Sequence, residues 1–228
     1  MKNSWKEYWD NCSEDNSKNP QIAVQRTKNK SPISANNWLK LHKFVFKNLN
    51  LKQDDILLDF CCGNGVFSIE AAKIVDRVIA VDYATKFIEK INSMHKENIF
   101  TINKDGNNFN FAKNHYTKIL FYAGIQYFDK QELTNILQRI YAASNKGTII
   151  YIGDIPNVHL IWKFYNTKTR KSLYFEKIKR GEDIIGNWYD EQWLHNLVKY
   201  LGFRKVRFLA QPEYQINHHF RFDMVLEK

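Results

Sequence analysis

"ILLDFCCGNG", residues 56–65, sets an apolar run directly against an acidic residue, two cysteines and a Gly-Asn-Gly turn. A short apolar run bounded by turn formers is the pattern of a buried strand. Glycine lets the chain turn sharply and lets a ligand approach the backbone, so the pattern predicts a tight turn into a helix, "VFSIEAAKIV" at 66–75. The segments downstream of this helix decide the fold. "RVIAVDY" (77–83), "NIFTINKDG" (98–106), "YTKILFYAGI" (116–125) and "KGTIIYIGDIP" (146–156) repeat the strand pattern. Helical spacing in "ATKFIEKINSMHKE" (84–97) and "DKQELTNILQRIYAAS" (129–144) separates them. Strands alternating with helices predict a doubly wound α/β chain with a parallel sheet and right-handed crossovers.

Outside this core the rhythm changes. Trp5, Tyr8 and Trp9 fall on one face of a predicted N-terminal helix, and Ser34 is the expected N-cap of a helix carrying "WLKLHKFVFKNL" (38–49). Pro156 is expected to stop the fifth strand. An aromatic and basic insertion comes after it, then a helix "DEQWLHNLVKYLGF" (190–203) and a terminal hairpin pair, "RKVRFLAQ" (204–211) and "HFRFDMVLEK" (219–228).

Bulk properties narrow the function. The 228 residues are 44 % hydrophobic and 15 % aromatic, enough for a substantial core. No run approaches the roughly 20 apolar residues of a membrane span, and "MKNSWKEYWDNCSEDNS" lacks a secretory apolar stretch, so the cytoplasm is expected. Cys12, Cys61 and Cys62 suit a reducing compartment; two adjacent cysteines without a matching Cys/His pair make a poor zinc site, and no metal is expected. The formal charge of +10 raises nucleic acid as a partner, but the excess lysine is scattered. It concentrates only at Lys163, Lys168, Arg170, Lys171, Lys177, Lys179 and Arg180, a solvated helix face or a surface for an anion.

The loop at 61–65 discriminates between cofactors. A dinucleotide fingerprint wants a third glycine where Ser68 stands, and Asp59 would repel a pyrophosphate. S-adenosylmethionine has no phosphate; it carries an ammonium, a carboxylate, a ribose and a sulfonium, and an acidic strand end suits that cation.

"LLDFCCGNG" resembles the first motif of class I S-adenosylmethionine-dependent methyltransferases, usually Leu-Asp-x-Gly-Cys-Gly-x-Gly, and departs from it where Cys61 replaces the first glycine. The resemblance runs from about residue 36 to the C-terminal strands. It implies a Rossmann-like, seven-stranded, mostly parallel sheet with one antiparallel strand in the last pair, an N-terminal helical lid and a cap inserted after the fifth strand. The single domain then divides into a lid (1–50), a cofactor-binding core (51–156), an acceptor cap (157–190) and a C-terminal helix with strands (191–228). The cofactor, leaving as S-adenosylhomocysteine, would meet Asp59, Cys61, Cys62, Gly63 and Gly65 in the motif loop. Asp82, with Tyr83 beside it, would accept the ribose hydroxyls; the bland alternative is an N-cap. Asp105 and Gly106 would face the adenine, or merely form a turn. Ala123 ends the fourth strand beside the reacting methyl. "WKEYWD" resembles helices that close over the cofactor, which brings in Trp9, and Arg26 would face a carboxylate or an acceptor anion unless it is a surface arginine.

The acceptor side is less marked. The sequence lacks the Asn/Asp-Pro-Pro-Tyr motif and the Pro-Cys pair of nucleobase methyltransferases, which disfavours nucleic acid. Methyl transfer needs alignment, worth up to ~7–11 kcal/mol, and a base only where the acceptor must lose a proton. Gln126, Asp154, Tyr165, Arg170, Trp188, Tyr214 and Arg221 are the candidate substrate contacts; His219, His159 and Tyr127 are the candidate catalytic groups, with a histidine as any base. Each aromatic could equally be packing. The pattern "GDIPN…KFYNT…IGNWYD…HFRFD" is similar to small methyltransferases of bacterial surface-polysaccharide and capsule loci, which implies O-methylation of a sugar or a phosphorylated, phosphoramidate-type intermediate. The alternatives are an RNA or protein methyltransferase, which would bind polymer through the basic cluster, and a non-catalytic binding protein on the same fold.

Overall fold

In the computed structural model, which describes residues 2–13, 19–28, 31–113, 115–182 and 186–228, the strand runs form one sheet. Its strands are β1 (Ile56–Phe60), β2 (Arg77–Asp82), β3 (Ile99–Asn103), β4 (Lys118–Tyr122), β5 (Ile149–Pro156), β6 (Lys205–Ala210) and β7 (Arg221–Glu227). They lie in the order β3-β2-β1-β4-β5-β7-β6. The first five are parallel; β7 is antiparallel to both neighbours and wedges between β5 and β6. The order reverses between β1 and β4, which opens a crevice at their carboxyl ends.

Among the described residues the longer helices are α1 (Lys2–Ser13), α2 (Ala35–Leu49), α3 (Val66–Ala71), α4 (Thr85–Asn92), α5 (Lys130–Ala143), α6 (Lys168–Arg180) and α7 (Glu191–Tyr200). Side chains alternate across a strand, and the core divides accordingly. Leu58, Phe60, Ile119 and Ile150 face α5 and α7, where Leu133, Ile136, Leu137, Leu194 and Val198 are buried. Leu57, Val78, Leu120 and Tyr151 face α2 and α3 through Leu41, Val45, Leu49 and Phe67. Among the described residues no helix is long and apolar enough to cross a membrane.

Local chemistry sets the helix ends. Ser34 caps α2 by accepting the Asn37 amide, and Asp129 with Glu132 forms a reciprocal capping box on α5. Two helices stop earlier than their periodicity predicts. The Asn98 side-chain amide donates to the carbonyls of Ala72 (2.9 Å) and Val75 (3.2 Å), satisfying the end of the α3 turn. After α4, His95 takes a left-handed conformation with φ 47°. β5 ends at Pro156, as expected: it is the last paired residue, opposite Arg221. The cap range 157–190 holds a 3-10 turn (Val158–Leu160), one helical turn (Ile161–Phe164) and α6, none of whose residues is buried, so the basic cluster there is a solvated face. Residues 183–185 of that range, and 1, 14–18 and 29–30 of the lid range, lie outside the described residues.

A buried histidine makes the core sensitive to pH. His42 on α2 is 4 % exposed, edge-on to Trp38 (4.7 Å between ring centroids) and Phe67 (4.9 Å) and stacked on Phe46 (5.8 Å). Burial pushes its pKa down to about 4. An unfolded histidine binds its proton near pH 6.5, so as pH falls the unfolded chain takes up the proton first; stability is lost from about pH 6.5 down toward 4. Urea unfolding at pH 8 and pH 5 should show wild type losing about 2 kcal/mol more than His42→Phe over that interval.

Candidate functional site

Near the carboxyl ends of three neighbouring strands stand residues that turn left-handed without being glycine: Cys61 (φ 62°) after β1, Ala123 (φ 57°) after β4 and Asp154 (φ 62°) in β5. Each costs about 1–2 kcal/mol, and strain of this kind collects at functional sites. The β1 turn is then locked. The Cys62 amide donates to the Val81 carbonyl (3.0 Å) and the Gly63 amide to Asp82 Oδ2 (2.8 Å). Gly65 (φ 75°) begins α3, where a Cβ would lie 2.7 Å from Ile91 Cγ1, so this position excludes any side chain.

The turn borders a cleft of about 730 Å³. Asp59, Cys61, Cys62, Gly63, Asp82, Tyr83, Ala123, Arg26, Trp9 and Tyr127, all expected at the site, line it; Gly65 stands behind the wall. Asp59 is 2 % exposed, accepts a hydrogen bond from Ser68 Oγ (2.6 Å), and is pushed up to about 7 by burial, against the help of Ser68. Asp82 is also raised by burial, although Oδ1 accepts the Ala84 amide (2.9 Å) and Oδ2 that of Gly63. Asp82 is therefore a turn former that does not cap α4, whose N-cap is Ala84. Burial, then Asp82, pushes both thiols well up, which makes Cys61 and Cys62 packing groups and not thiolates. The Tyr83 hydroxyl donates to the Trp5 carbonyl (3.1 Å) and ties α1 over the cleft.

A second chamber of about 540 Å³ opens beside the first, sharing Trp9, Val24, Arg26, Ala123 and Tyr127 with it. Its charged wall centres on Asp154. Asp154 Oδ2 meets Arg26 Nη1 at 3.0 Å and Arg221 Nη1 at 2.7 Å, and Oδ1 accepts from Gln211 Nε2 (3.2 Å). Burial raises the Asp154 pKa, but Arg221 and Arg26 outweigh it and hold the carboxyl below the ordinary range. Arg221 Nη1 also donates to the Asp154 carbonyl (2.7 Å) and to Gln126 Oε1 (2.6 Å), while Gln126 Nε2 donates to the Tyr127 hydroxyl (3.0 Å). Arg26 lies over the Tyr122 ring at 4.6 Å. Burial pushes the Tyr127 phenol up to about 12, and its ring packs on Trp5 (4.9 Å) and Trp9 (5.8 Å) of α1.

Other expected residues lie elsewhere. Asp105 is exposed and accepts the Asn107 amide (2.8 Å), capping a short turn outside the cleft wall. Gly106 serves packing: a Cβ there would lie 2.7 Å from Phe60 Cζ and 3.0 Å from Phe128 Cζ. Neither histidine lines the cleft or the chamber. His159 is exposed and paired through Nε2 with Asp190, the N-cap of α7; His219 is exposed, its ring against His218 and Phe220. Tyr165 is buried among Phe164, Tyr174 and Trp188, and Arg170 spends its guanidinium on the Phe164 carbonyl (3.0 Å) and ring. Trp188 packs on Phe220, and Tyr214 lies under Lys40. These last four build the cap and the approach to β7.

Sequence reasoning missed other wall residues. Phe67, Phe87, Tyr122 and Phe128 line the cleft, and Trp5, Tyr8 and Asn217 the chamber. Asp223, behind the chamber, accepts the Asp154 amide (2.7 Å), Gln211 Nε2 (2.8 Å) and the Tyr151 hydroxyl (2.5 Å). A charged residue inside the apolar run of β7 was the available signal, since buried charges are rare without partners.

Residues 57–147, from β1 through the end of α5, match a family model described as a methyltransferase domain. No curated protein matches the chain. Solved structures give likeness of fold. A Nostoc punctiforme structure, provisionally assigned as an O-methyltransferase, is 18 % identical with a TM-score of 0.66, over 96 % of this chain and 60 % of its own. Phosphoethanolamine N-methyltransferase 1 of Haemonchus contortus, solved with phosphoethanolamine and S-adenosylhomocysteine, is 15 % identical with a TM-score of 0.70, over 99 % of this chain and 48 % of its own. Magnesium protoporphyrin IX methyltransferase of Synechocystis, with S-adenosylhomocysteine bound, is 13 % identical with a TM-score of 0.63, over 100 % of this chain and 99 % of its own. The chain thus spans 60 % of the length of the first and just under half of the second, 48 %.

Removing the Asp154 charge tests the wall. Asp154→Asn keeps a residue that tolerates φ 62° but leaves two arginines buried without their counter-charge. Denaturant unfolding should show a loss of about 3–5 kcal/mol.

Proposed function

We propose that the chain is an S-adenosylmethionine-dependent methyltransferase that moves a methyl group to an oxygen of a small, polar, anionic acceptor. The observation that carries it is the pair of carboxylates at the ends of adjacent parallel strands, Asp59 buried and Asp82 half-buried, in a cleft walled by the left-handed Cys61–Gly63 turn. The residues present fit that cofactor. Two acids raised by burial suit a ligand with an ammonium, a sulfonium and ribose hydroxyls, and poorly suit a pyrophosphate. The family match over 57–147 and the shared fold support the same assignment.

When bound, S-adenosylmethionine supplies a methyl on a positively charged sulfur. The chain's own residues do the rest. Asp82, fixed by two backbone amides, keeps lone pairs for the ribose hydroxyls. Asp59 offers negative charge from beneath the turn, and Gly63 leaves the backbone bare above it. Trp9 and Tyr127, shared by cleft and chamber, mark where donor and acceptor meet. We take α1, tied down by Tyr83, as the lid that excludes water. The acceptor class expected from the tail, a sugar or phosphorylated intermediate of surface-polysaccharide decoration, stays within this proposal. The Haemonchus enzyme, holding a small phosphorylated acceptor on the same fold, supports it.

Thermal melts test the cofactor. A ligand at 100 times its dissociation constant stabilises by about 2.7 kcal/mol, a midpoint shift of roughly 5–10 °C at this size. S-adenosylmethionine and S-adenosylhomocysteine should produce it in wild type and not in Asp82→Ala, and NAD should produce none; a shift with NAD alone would overturn the proposal.

Asp59 adds a pH signature. Its carboxyl sits near 7 in the free protein, and a cation bound beside it favours the ionised form, so binding releases a proton. Calorimetric affinity for S-adenosylmethionine should therefore rise between pH 6 and pH 8, and Asp59→Asn should flatten that rise.

A further inference from the structure

The chamber beside the cleft holds two guanidinium groups that its own residues do not saturate. Arg26 Nη2 and Arg221 Nε are buried and have no hydrogen-bond partner among the described residues, although both side chains converge on Asp154 Oδ2 through their Nη1 atoms. Arg221 is only 8 % exposed. Unmade hydrogen bonds on a buried cation are costly and call for an explanation. Two arginines against one carboxylate also leave the wall with one net positive charge. No imidazole lines the chamber among the described residues. Its one carboxylate is pinned between the arginines, and burial raises the phenols of Tyr8 and Tyr127, so none of these groups is set to take a proton near neutral pH.

Resting on the methyltransferase reading above, we propose that the acceptor is an oxoacid, a carboxylate or a phosphorus oxyanion, held by Arg26 and Arg221, and that an anionic oxygen of this group is itself the methylated atom. The step then balances without a base. A lone pair of the anionic oxygen forms the O–CH3 bond, the pair of the broken C–S bond stays on sulfur, the acceptor loses one unit of negative charge, and no proton moves. Planar guanidinium groups suit both oxyanions. A product with one negative charge fewer is held less strongly by the positive wall, which favours its release. Gln126 orders the clamp: its side chain joins Arg221 to the Tyr127 hydroxyl, so the anion-binding wall and the aromatic divide between the two spaces move as one unit.

Calorimetry and thermal melts on the full chain, saturated with S-adenosylhomocysteine, test this with acetate, inorganic phosphate, methylphosphonate and glucose as separate probes. At least one oxoanion should bind and raise the midpoint by a further 2 °C or more, and glucose should do neither; the carboxylate and phosphorus arms tell the two classes apart. Arg221→Lys keeps a cation opposite Asp154 and lies outside the cofactor cleft, so it should weaken the oxoanion at least tenfold while S-adenosylhomocysteine affinity stays within twofold. Should that variant fail to fold, Arg26→Lys provides the same comparison of oxoanion affinity. Binding of glucose alone, of no probe, or of oxoanions indifferent to the lysine variants would overturn the inference and leave the cofactor assignment standing. Failure of S-adenosylhomocysteine itself to bind would overturn the methyltransferase reading and this inference with it.

Discussion

A single carboxylate, that of Asp154, fastens the segment before α2 onto the paired strands β5 and β7. It comes from β5, Arg26 from the segment before α2, and Arg221 from β7. A buried charge of this kind persists only when desolvation is offset by close partners and further hydrogen bonds, and every group around it is arranged to that end. The register of β5 against β7 shifts between Ile152 and Ile155, and a bulge re-aims the side chains it carries. Asp154 adopts its left-handed conformation inside that shift, where its amide is taken by Asp223. Bulge, backbone strain and ion pairs are therefore one device.

The same logic extends across the sheet. Cys61, Ala123 and Asp154 turn left-handed at three adjacent positions along the carboxyl edge. An extended continuation there would fill the crevice that the reversal of strand order opens. Turning away leaves bare backbone and room, and the cleft and the chamber share that room on either side of Trp9 and Tyr127. Cys61 stands where the resembling motif usually has glycine, and its Cβ packs near Gly124, where a second Cβ would come within 2.8 Å.

The seven strands were legible because apolar runs and turn residues are local signals, and Asp59, Asp82 and the glycine turn were legible because they sit at fixed offsets from those strands. What failed was non-local. Asn98 terminates α3 from 26 residues away, and no helical period reveals that. His159 and His219 carried the right chemistry for a base, but the direction of an exposed side chain is set by its neighbours, here Asp190 for one and Phe220 for the other. Asp105 reads equally as a ligand contact or a turn former in sequence, and in the fold it caps a turn. Arg26, Asp154 and Arg221 were each picked out singly; their convergence depends on β7 inserting between β5 and β6, which pairing preferences along the chain do not specify.

That insertion has a consequence for how the molecule is made. β7 is last of the seven strands in chain order, yet β6 pairs with nothing else in the sheet and β5 presents it a full edge. As a ribosome extends the chain, the parallel half can assemble while residues 205–227 are still in the exit tunnel, and during that interval the outer edge of β5 is bare. Exposed strand edges recruit other strands, so the nascent chain passes through a sticky stage that ends only when β7 arrives. Its arrival closes the edge and delivers Arg221 to Asp154 and Gln126, 67 and 95 residues upstream. Completion of the sheet and completion of the charged wall are thus the same event in time.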